Sequence, residues 1–531
     1  MFAEKRIDYN QTNSFTRIVL DYLQDEPQLK HFYHLSPKKE NIKKLISLKK
    51  SQSLNREVLV KVLEEQYQNV NASDLTLKNI NSLLSSNCFT ITTAHQPNLF
   101  TGPLYFIYKI LHVIKITEEL NNDYSDFHFV PVYYMGSEDA DFAELNHTYV
   151  HGKKIEWRKQ QKGAVGRMKV DDTLQQLILE LEGQLSVDPH GNEVIALLKK
   201  AYSSGRTIQD ATFELINELY GKYGLVVLIP DHPLLKSQMI PVFEEELFAG
   251  SSFEIVEQTS KQLAEHYDPQ AHAREVNLFY LKDDIRERIE KRDQRFYVVH
   301  TDLSFSEEEI RQELASHPER FSPNVILRGL YQETILPNLA FVGGGGELAY
   351  WLQLKGVFAH YQVVFPMLVL RNSFLIIEKK WKTAIEKLGL ETEEIFQSSE
   401  EIIRHIVQHH TQNRVSLNGN FERADELFES IQQQAGAVDP SLLKHVAAIR
   451  AKALKNLEEL EKKMYRAEKR KFTAQQNQLQ KIKETLFPGN GLQERVENFS
   501  GFYAIWGFAF IDALYHHSLT FEQQFTVLVE R

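Results

Sequence analysis

A strand, a loop, a helix and a second strand follow one another near residue 90, and this order constrains the fold more than any other feature. Residues 88–93 are rich in β-branched and aromatic side chains. After a loop with Pro97 and Gly102, apolar residues take helical spacing from Leu104, and a second apolar run covers 127–135. This order predicts a right-handed βαβ unit and hence a parallel sheet in an α/β fold.

Further apolar runs are candidate strands. They cover residues 224–229, 276–281, 296–299 and 363–370, with helical stretches between them. We divide the chain into an N-terminal helical segment of the core (1–85), an α/β core with insertions (86–372), a helical domain (373–487) and an aromatic-rich C-terminal segment that packs back on the core (488–531).

The helical domain has the pattern of a coiled coil. Two stretches, 374–408 and 441–487, are charged and poor in Gly and Pro. In the second stretch, apolar residues recur at intervals of four and three, which is typical of a coiled-coil seam; they are Ala453, Leu457, Leu460, Met464 and Ala467. We expect an antiparallel hairpin of two long helices, with a turn and a short helix over 416–440.

Composition limits the partners and the location. The 61 basic and 72 acidic residues give a net charge of −11, which disfavours broad binding to nucleic acid or to anionic membranes. No apolar run approaches the roughly 20 residues that span a bilayer. The polar N-terminus lacks a signal-peptide core, and the single cysteine, Cys88, fits a reducing compartment. We therefore predict a cytoplasmic protein without nucleic-acid or membrane partners.

The loop after the first strand is the first candidate site, because ligands of open α/β sheets bind beyond the carboxyl ends of strands. A helix start in this loop favours an anion there. The alternative is a capped helix start behind a polar loop. The candidate binding residues are His95, Gln96, Asn98, Thr101, Gly102, Tyr105 and Lys109.

The loop after the second strand is acidic. Its carboxylates could hold a substrate ammonium, bind Mg²⁺ or act as a base. The alternative is a solvated acidic loop that caps the next helix. The candidate catalytic residues are Glu138, Asp139, Asp141 and His147, with Asn146 as a binding residue.

A run of four glycines before an aromatic helix is the third candidate. Successive glycines let backbone N–H groups converge on a phosphate or a carboxylate. Arg286, Arg288 and Arg328, with the 322–324 segment, are possible cationic or polar partners. The candidate binding residues are Gly343, Gly344, Gly345, Gly346, Glu347 and Tyr350. The adjacent histidine pairs 409–410 and 516–517 are poor metal ligands, and no metal site is predicted.

Four segments together resemble one known family. They are HQPNLFTGPLYFIYK, PVYYMGSEDADFAELNH, VGGGGELAYWLQLKGVF and FPGNGLQER. In order along the chain, they resemble the BshC family, the cysteine ligases of bacillithiol biosynthesis. His95, Pro97 and Gly345 depart from the residues usual in that family.

The resemblance implies a Rossmann-like core, similar to class I aminoacyl-tRNA synthetases and related nucleotidyltransferases, and a coiled coil that forms a homodimer. It also implies that L-cysteine is joined to glucosaminyl-malate to give bacillithiol. Residues 100–103 lack both histidines of the nucleotidyltransferase motif, so ATP is a candidate co-substrate that this motif does not secure.

Our mechanistic hypothesis places malate carboxylates or a phosphate on 343–346 and at the Gly102 helix start. Asp139 and Asp141 would orient an ammonium or a metal, and Glu138 or His147 would act as base. Two other functions stay open: a ligase or nucleotidyltransferase for a different amine, and a coiled-coil interaction protein with a degenerate core.

Overall fold

The computed structural model describes residues 1–411 and 416–531. The strands are β1 (Phe2–Ile7), β2 (Cys88–His95), β3 (His128–Met135), β4 (His147–Val150), β5 (Lys153–Glu156), β6 (Val226–Leu228), β7 (Leu278–Lys282), β8 (Ile285–Arg292), β9 (Arg295–Val298), β10 (Ser304–Ser306), β11 (Phe321–Pro323), β12 (Asn338–Gly343), β13 (Met367–Leu370), β14 (Phe374–Ile377) and β15 (Phe525–Glu530).

Helices connect and cover these strands. They are α1 (Arg17–Leu23), α2 (Ile42–Lys50), α3 (Arg56–Tyr67), α4 (Asp74–Ser82), α5 (Tyr105–Asp123), α6 (Phe142–Leu145), α7 (Asp172–Leu185), α8 (Gly191–Ala201), α9 (Ile208–Tyr220), α10 (Pro233–Lys236), α11 (Ile240–Phe248), α12 (Ser251–Leu263), α13 (Glu307–Ser316), α14 (Val325–Ile335), α15 (Gly345–Trp351), α16 (Lys355–His360), α17 (Lys379–Lys387), α18 (Ser399–His410), α19 (Asn418–Val438), α20 (Leu442–Lys469), α21 (Thr473–Leu486), α22 (Phe499–Trp506) and α23 (Phe508–His517).

The central sheet is parallel, and its strand order is β13-β12-β2-β3-β6. Thr93 of β2 pairs with Val342 of β12 on one side and with Tyr133 of β3 on the other. The chain passes from β2 through α5 to β3 on one side, whereas β12 leads to β13 on the other side. The strand order therefore reverses between β2 and β12, which is where ligands bind in such sheets. The predicted parallel sheet is confirmed.

Two of the candidate strands lie outside the parallel sheet. Segments 276–281 and 296–299 overlap β7 and β9, which lie in an antiparallel sheet of order β10-β9-β8-β7-β11. The β8–β9 turn consists of Asp293 and Gln294, both with positive φ. Such a two-residue turn joins adjacent antiparallel strands directly and leaves no room for the crossover that a parallel pair needs. A third sheet has the order β1-β15-β14.

The described residues form two compact units. One comprises Met1–Ile376 and Gly491–Leu528, and the other comprises Ile377–Asn490 and Val529–Arg531. The first unit contains the parallel sheet, whose buried side chains pack with α2 and α5. That core includes Phe89, Val113 and Val342, each fully buried.

The second unit is mainly helical, but its helices differ from those predicted. Segment 374–408 begins with strand β14 and continues as α17 and α18, so it is not one helix. Segment 416–440, predicted to be a turn with a short helix, contains the 21-residue helix α19. Helix α19 packs on α20 through Asp425 and Arg450, which form two hydrogen bonds of 2.6 Å. Nearer the connection of the two helices, Gly436 faces Leu443, and a Cβ on Gly436 would lie 2.6 Å from the end of that side chain.

Among the described residues, no helix is both long enough and apolar enough to cross a membrane.

Candidate functional site

A cavity of about 720 Å³ lies at the carboxyl ends of the parallel strands. Its lining includes residues that directly follow β2, β3, β12 and β13. The volume is in the range that holds a small-molecule substrate. The predicted residues in the lining are His95, Gln96, Tyr105, Lys109, Glu138, Asp139, Gly344, Gly345, Gly346, Glu347 and Tyr350.

The remaining predicted residues lie outside this lining: Asn98, Thr101, Gly102, Asp141, Asn146, His147 and Gly343. The three predicted loops therefore meet at one cavity, although parts of each loop face away from it.

The residues that end β2 form an aromatic corner of the cavity. The His95 ring lies 5.3 Å from the ring of Tyr105 and 5.1 Å from that of Phe106. Burial, reinforced by nearby cations, holds the pKa of His95 well below its usual range, so the imidazole is neutral. Gln96 donates to Asp139 Oδ2 at 3.1 Å and so joins the first two loops.

The start of α5 has its own partners inside the protein. Thr101 and Gly102 have positive φ, and Asn98 packs so closely that a Cβ on Gly102 would lie 2.8 Å from it. The Leu104 N–H group donates to Glu497 O at 2.8 Å. The predicted anion site at Gly102 gains no support from this arrangement, because the turn is packed and the helix start is hydrogen-bonded.

Lys109, on α5, is buried and lies in the cavity lining. Its ammonium donates to Ala94 O at 3.0 Å and contacts the Glu347 carboxylate. Burial lowers the pKa of Lys109, and Glu347 acts against this lowering.

Glu138, in the loop after β3, lies between two cations. The ammonium of Lys236, itself fully buried, contacts Glu138 and donates to Phe321 O at 2.9 Å. Ser322 Oγ donates to Glu138 Oε2 at 3.3 Å and accepts from Arg286 Nε at 3.3 Å. Burial raises the pKa of Glu138 above its ordinary value, whereas Lys236 acts to lower it. A buried carboxyl group with a raised pKa that faces a cavity can exchange protons with a bound substrate.

The rest of the acidic loop turns outward. Asp141 Oδ1 accepts from the Glu144 N–H group at 3.2 Å and caps α6. The Asp141 N–H group donates to Asp139 Oδ1 at 3.0 Å. Asn146 and His147 contact each other at 3.1 Å through Oδ1 and Nδ1. For Asp141, the alternative of a helix cap in an acidic loop matches the geometry.

The glycine run ends β12 and begins α15. Gly343 O accepts from the Arg371 N–H group at 2.8 Å, and a Cβ on Gly343 would lie 2.8 Å from the Phe341 ring. The Gly344 N–H group donates to Glu347 Oε2 at 2.8 Å. The carboxylate of Glu347 therefore already occupies one donor of the loop, which leaves Gly345 and Gly346 at the cavity surface.

Within residues 1–411 and 416–531, no group of three or more His, Cys, Asp or Glu side chains is arranged to hold a metal ion.

Comparison with known proteins agrees with this arrangement of domains. The model of the bacillithiol biosynthesis BshC N-terminal Rossmann-like domain matches residues 3–372, and that of the BshC C-terminal coiled-coil domain matches 374–530. The chain belongs to the BshC family. The predicted family is therefore confirmed.

Curated BshC relatives match over nearly the whole chain. The protein named "Putative cysteine ligase BshC" of Flavobacterium johnsoniae is 40% identical over 525 residues, which are 98% of this chain and 99% of that protein. The protein of the same name from Christiangramia forsetii is 40% identical and covers 98% of both chains. The predicted enzyme class, a ligase, is confirmed by these relatives.

Among solved structures, the "putative arginyl t-RNA synthetase" of Campylobacter jejuni is 8% identical, covers 80% of this chain and 98% of that chain, and has a TM-score of 0.22. At this TM-score the similarity says nothing about the fold of the BshC chain.

The sequence interpretation missed several charged residues of the cavity. Arg371 follows β13 directly, so the rule that points to the ends of parallel strands would have identified it. Arg495 lines the cavity from the LQER segment, in which the sequence shows a family resemblance and no sign of a site. Arg274 in the lining carries no local signal, because only tertiary packing brings it to the site. The same holds for Lys236, which contacts Glu138 from behind the lining.

Proposed function

We propose that this BshC-family chain joins L-cysteine to glucosaminyl-malate and so forms bacillithiol. The single observation that carries the proposal is the charge arrangement of the cavity. Arg328 and Arg371 lie beside the glycine loop, whereas Glu138 and Asp139 follow β3. Glucosaminyl-malate has an amine and two carboxylates, and a cavity with both acidic and basic walls complements it.

Amide formation requires that the amine lose a proton and that a leaving group depart from the carbonyl carbon of cysteine. The amine nitrogen attacks the carbonyl carbon of cysteine, a C–N bond forms, and the activating group leaves with the C–O bonding pair. The ammonium form must first lose a proton, since only the free amine is a nucleophile. We assign Glu138 as the base, because it lines the cavity and its raised pKa favours proton acceptance.

The cysteine carboxylate needs activation before the amine attacks, and ATP is the co-substrate that we propose. Arg274 and Arg495 are exposed on the cavity lining. A guanidinium group can donate two parallel hydrogen bonds to the oxygens of one phosphate, so these arginines suit the phosphates of ATP. A nucleotidyltransferase-like core is part of this proposal. The site residues other than Glu138 would then bind and orient the three reactants.

A homodimer through an antiparallel coiled coil is also part of the proposal. Helices α19 and α20 expose large apolar side chains that a second copy could cover. They are Leu427, Ile431, Val438, Leu442, Leu443, Ile449 and Leu460. Analytical ultracentrifugation would test this: a Leu427→Lys, Leu460→Lys variant is expected to sediment as a monomer, and an unchanged dimer would refute this assembly.

We place the enzyme in the cytoplasm, because its thiol product needs a reducing compartment and the lone, buried Cys88 has no cysteine partner in the chain.

The proposed reaction is tested with purified protein, L-cysteine, glucosaminyl-malate and ATP, with mass spectrometry to detect the product and the nucleotide. Bacillithiol and a stoichiometric nucleotide product are expected. A matched strain that lacks this chain should accumulate glucosaminyl-malate and contain no bacillithiol. Normal bacillithiol in that strain would refute the proposal, and product only with another amine would point to a ligase of different acceptor specificity.

A further inference from the structure

Three cations of the cavity lie around the glycine loop and α15, and their partners differ. Lys109 contacts the Glu347 carboxylate, and Arg371 Nη2 donates to Glu494 Oε1 at 2.7 Å. Each of these two cations is therefore neutralised by a carboxylate of the protein. Arg328 lies on the same side of the cavity, and within the described part of the chain it forms no ion pair with a carboxylate.

The groups in contact with Arg328 are neutral, and the carboxylate of Glu347 acts on it from a greater distance than an ion pair. Its Nη2 donates to the Tyr350 hydroxyl at 3.0 Å, and its Nη1 donates to Gln332 Oε1 at 3.4 Å. The guanidinium carbon lies 5.8 Å from the Tyr134 ring centre and 5.9 Å from that of Phe341. Neutral oxygens and ring faces orient a guanidinium group, but they leave its N–H donors free to form an ion pair with a bound carboxylate.

The charge of Arg328 does not stabilise the helix that carries it. It is the fourth residue of α14, whose N-cap Asn324 accepts from the Ile326 N–H group at 2.9 Å. A cation near a helix N-terminus faces the positive end of the helix dipole, which is unfavourable. A partly buried charge with no ionic partner also costs free energy. Both costs are offset when an anion enters the cavity.

We propose that Arg328 binds a carboxylate of a substrate. This rests on the proposed function, which supplies two sources of that group: the malate part of glucosaminyl-malate and the carboxyl group of L-cysteine. The planar guanidinium group offers two parallel N–H donors to one carboxylate. Tyr350 fixes the plane of the guanidinium, so it is a positioning residue for this contact.

Calorimetric binding measurements on the full chain test the proposal without catalysis. The probes are glucosaminyl-malate, methyl glucosaminide (which has the amine and no carboxylate) and L-cysteine. Loss of a charge-assisted contact weakens binding by about 10- to 100-fold. We expect Arg328→Met to weaken either glucosaminyl-malate or L-cysteine by this factor and to leave methyl glucosaminide unchanged.

The variants separate charge from geometry and from folding. Arg328→Lys keeps the charge but not the fork, and is expected to recover only part of the affinity. Arg311→Met, at an exposed arginine of α13 that pairs with Glu244, is the matched control and should bind as wild type does. If Arg328→Met does not fold, Tyr350→Phe removes the orienting hydroxyl and should weaken the same probe about threefold.

The outcomes distinguish the two sources and the two proposals. Weaker binding of glucosaminyl-malate would show that Arg328 binds a malate carboxylate. Weaker binding of L-cysteine would show that it binds the carboxylate of the amino acid. The inference would be overturned if folded Arg328→Met bound all probes with unchanged affinity. It would also be overturned if the wild-type protein bound neither glucosaminyl-malate nor L-cysteine. Normal binding that depends on Arg328, together with no bacillithiol formed, would refute the proposed function and leave the carboxylate site in place.

Discussion

Two lysine–glutamate pairs lie near opposite ends of the parallel sheet, and they resemble each other until their remaining partners are compared. Lys49 pairs with Glu333 at 3.3 Å, close to the start of β12, and both side chains are fully buried. Lys236 contacts Glu138 beyond the end of β3, and here too the lysine is fully buried. In both pairs burial raises the pKa of the carboxyl group and the lysine acts against that rise.

The difference lies in what else each carboxylate touches. Glu333 Oε1 accepts from Gln332 Nε2 at 2.9 Å and from Asn338 Nδ2 at 2.7 Å, so it is enclosed by protein. Glu138 has Ser322 at 3.3 Å and also faces the cavity. We call Lys49–Glu333 the closed pair and Lys236–Glu138 the open pair. The closed pair can contribute only to stability, whereas the open pair can also exchange a proton with a ligand.

The largest expected effect is on catalysis at the open pair. Glu138→Gln keeps the shape of the side chain but removes the base, so the rate of bacillithiol formation should fall by about 10²- to 10⁴-fold. Stopped assays followed by mass spectrometry measure this rate. Glu144→Gln, at an exposed glutamate that also lines the cavity, is the matched control. A Glu138→Gln rate within threefold of wild type would exclude Glu138 as the base.

At the closed pair the large effect should be on stability. Lys49→Met leaves Glu333 buried without its cation, which costs about 3–5 kcal/mol of unfolding free energy. Denaturant titration followed by circular dichroism measures this loss. Adding Glu333→Leu should recover part of it, because the uncompensated charge is removed. A loss below about 1 kcal/mol for Lys49→Met would show that the closed pair contributes little to the free energy of unfolding.

The pH dependence of the rate sharpens the comparison further. The proposed base works when ionised, so the rate should fall as the pH drops through the raised pKa of Glu138. Lys236 acts to lower that pKa, and Lys236→Met should therefore move the acid limb of kcat/KM to higher pH. Lys236→Arg keeps the charge and should shift the limb less. An acid limb at the same pH in wild type and Lys236→Met would contradict the coupling.

The sequence predicts the candidate site where local order decides it. The loops after β2, β3 and β12 lie at one cavity, because parallel strands carry their carboxyl ends to one edge of the sheet. Which residues within a loop face the cavity depends on turn geometry, and Asp141 and His147 lie outside the lining for this reason. Lys236 reaches Glu138 only through tertiary packing, which no local spacing encodes.

In the fold, too, local sequence order predicts some elements, whereas others depend on tertiary packing. The βαβ order predicts the parallel sheet, and the spacing of apolar residues predicts α20. At helix α19 the sequence predicts only a short helix within a turn, although α19 has 21 residues and contains Gly419 and Gly436. Its stability comes from packing on α20, where Gly436 lies against Leu443.

The smallest expected effect is at Asp141, which a base or ammonium-binding role would make large. The Asp141 carboxylate accepts from the Glu144 N–H group and lies outside the cavity lining. Asp141→Asn keeps a capping oxygen, so the rate should change less than about twofold; Asp141→Ala loses the cap and about 1 kcal/mol of stability. The same rate assay and denaturant titration measure both variants. A rate for Asp141→Asn as low as that for Glu138→Gln would mean that the whole acidic loop, and not the open pair alone, carries the chemistry.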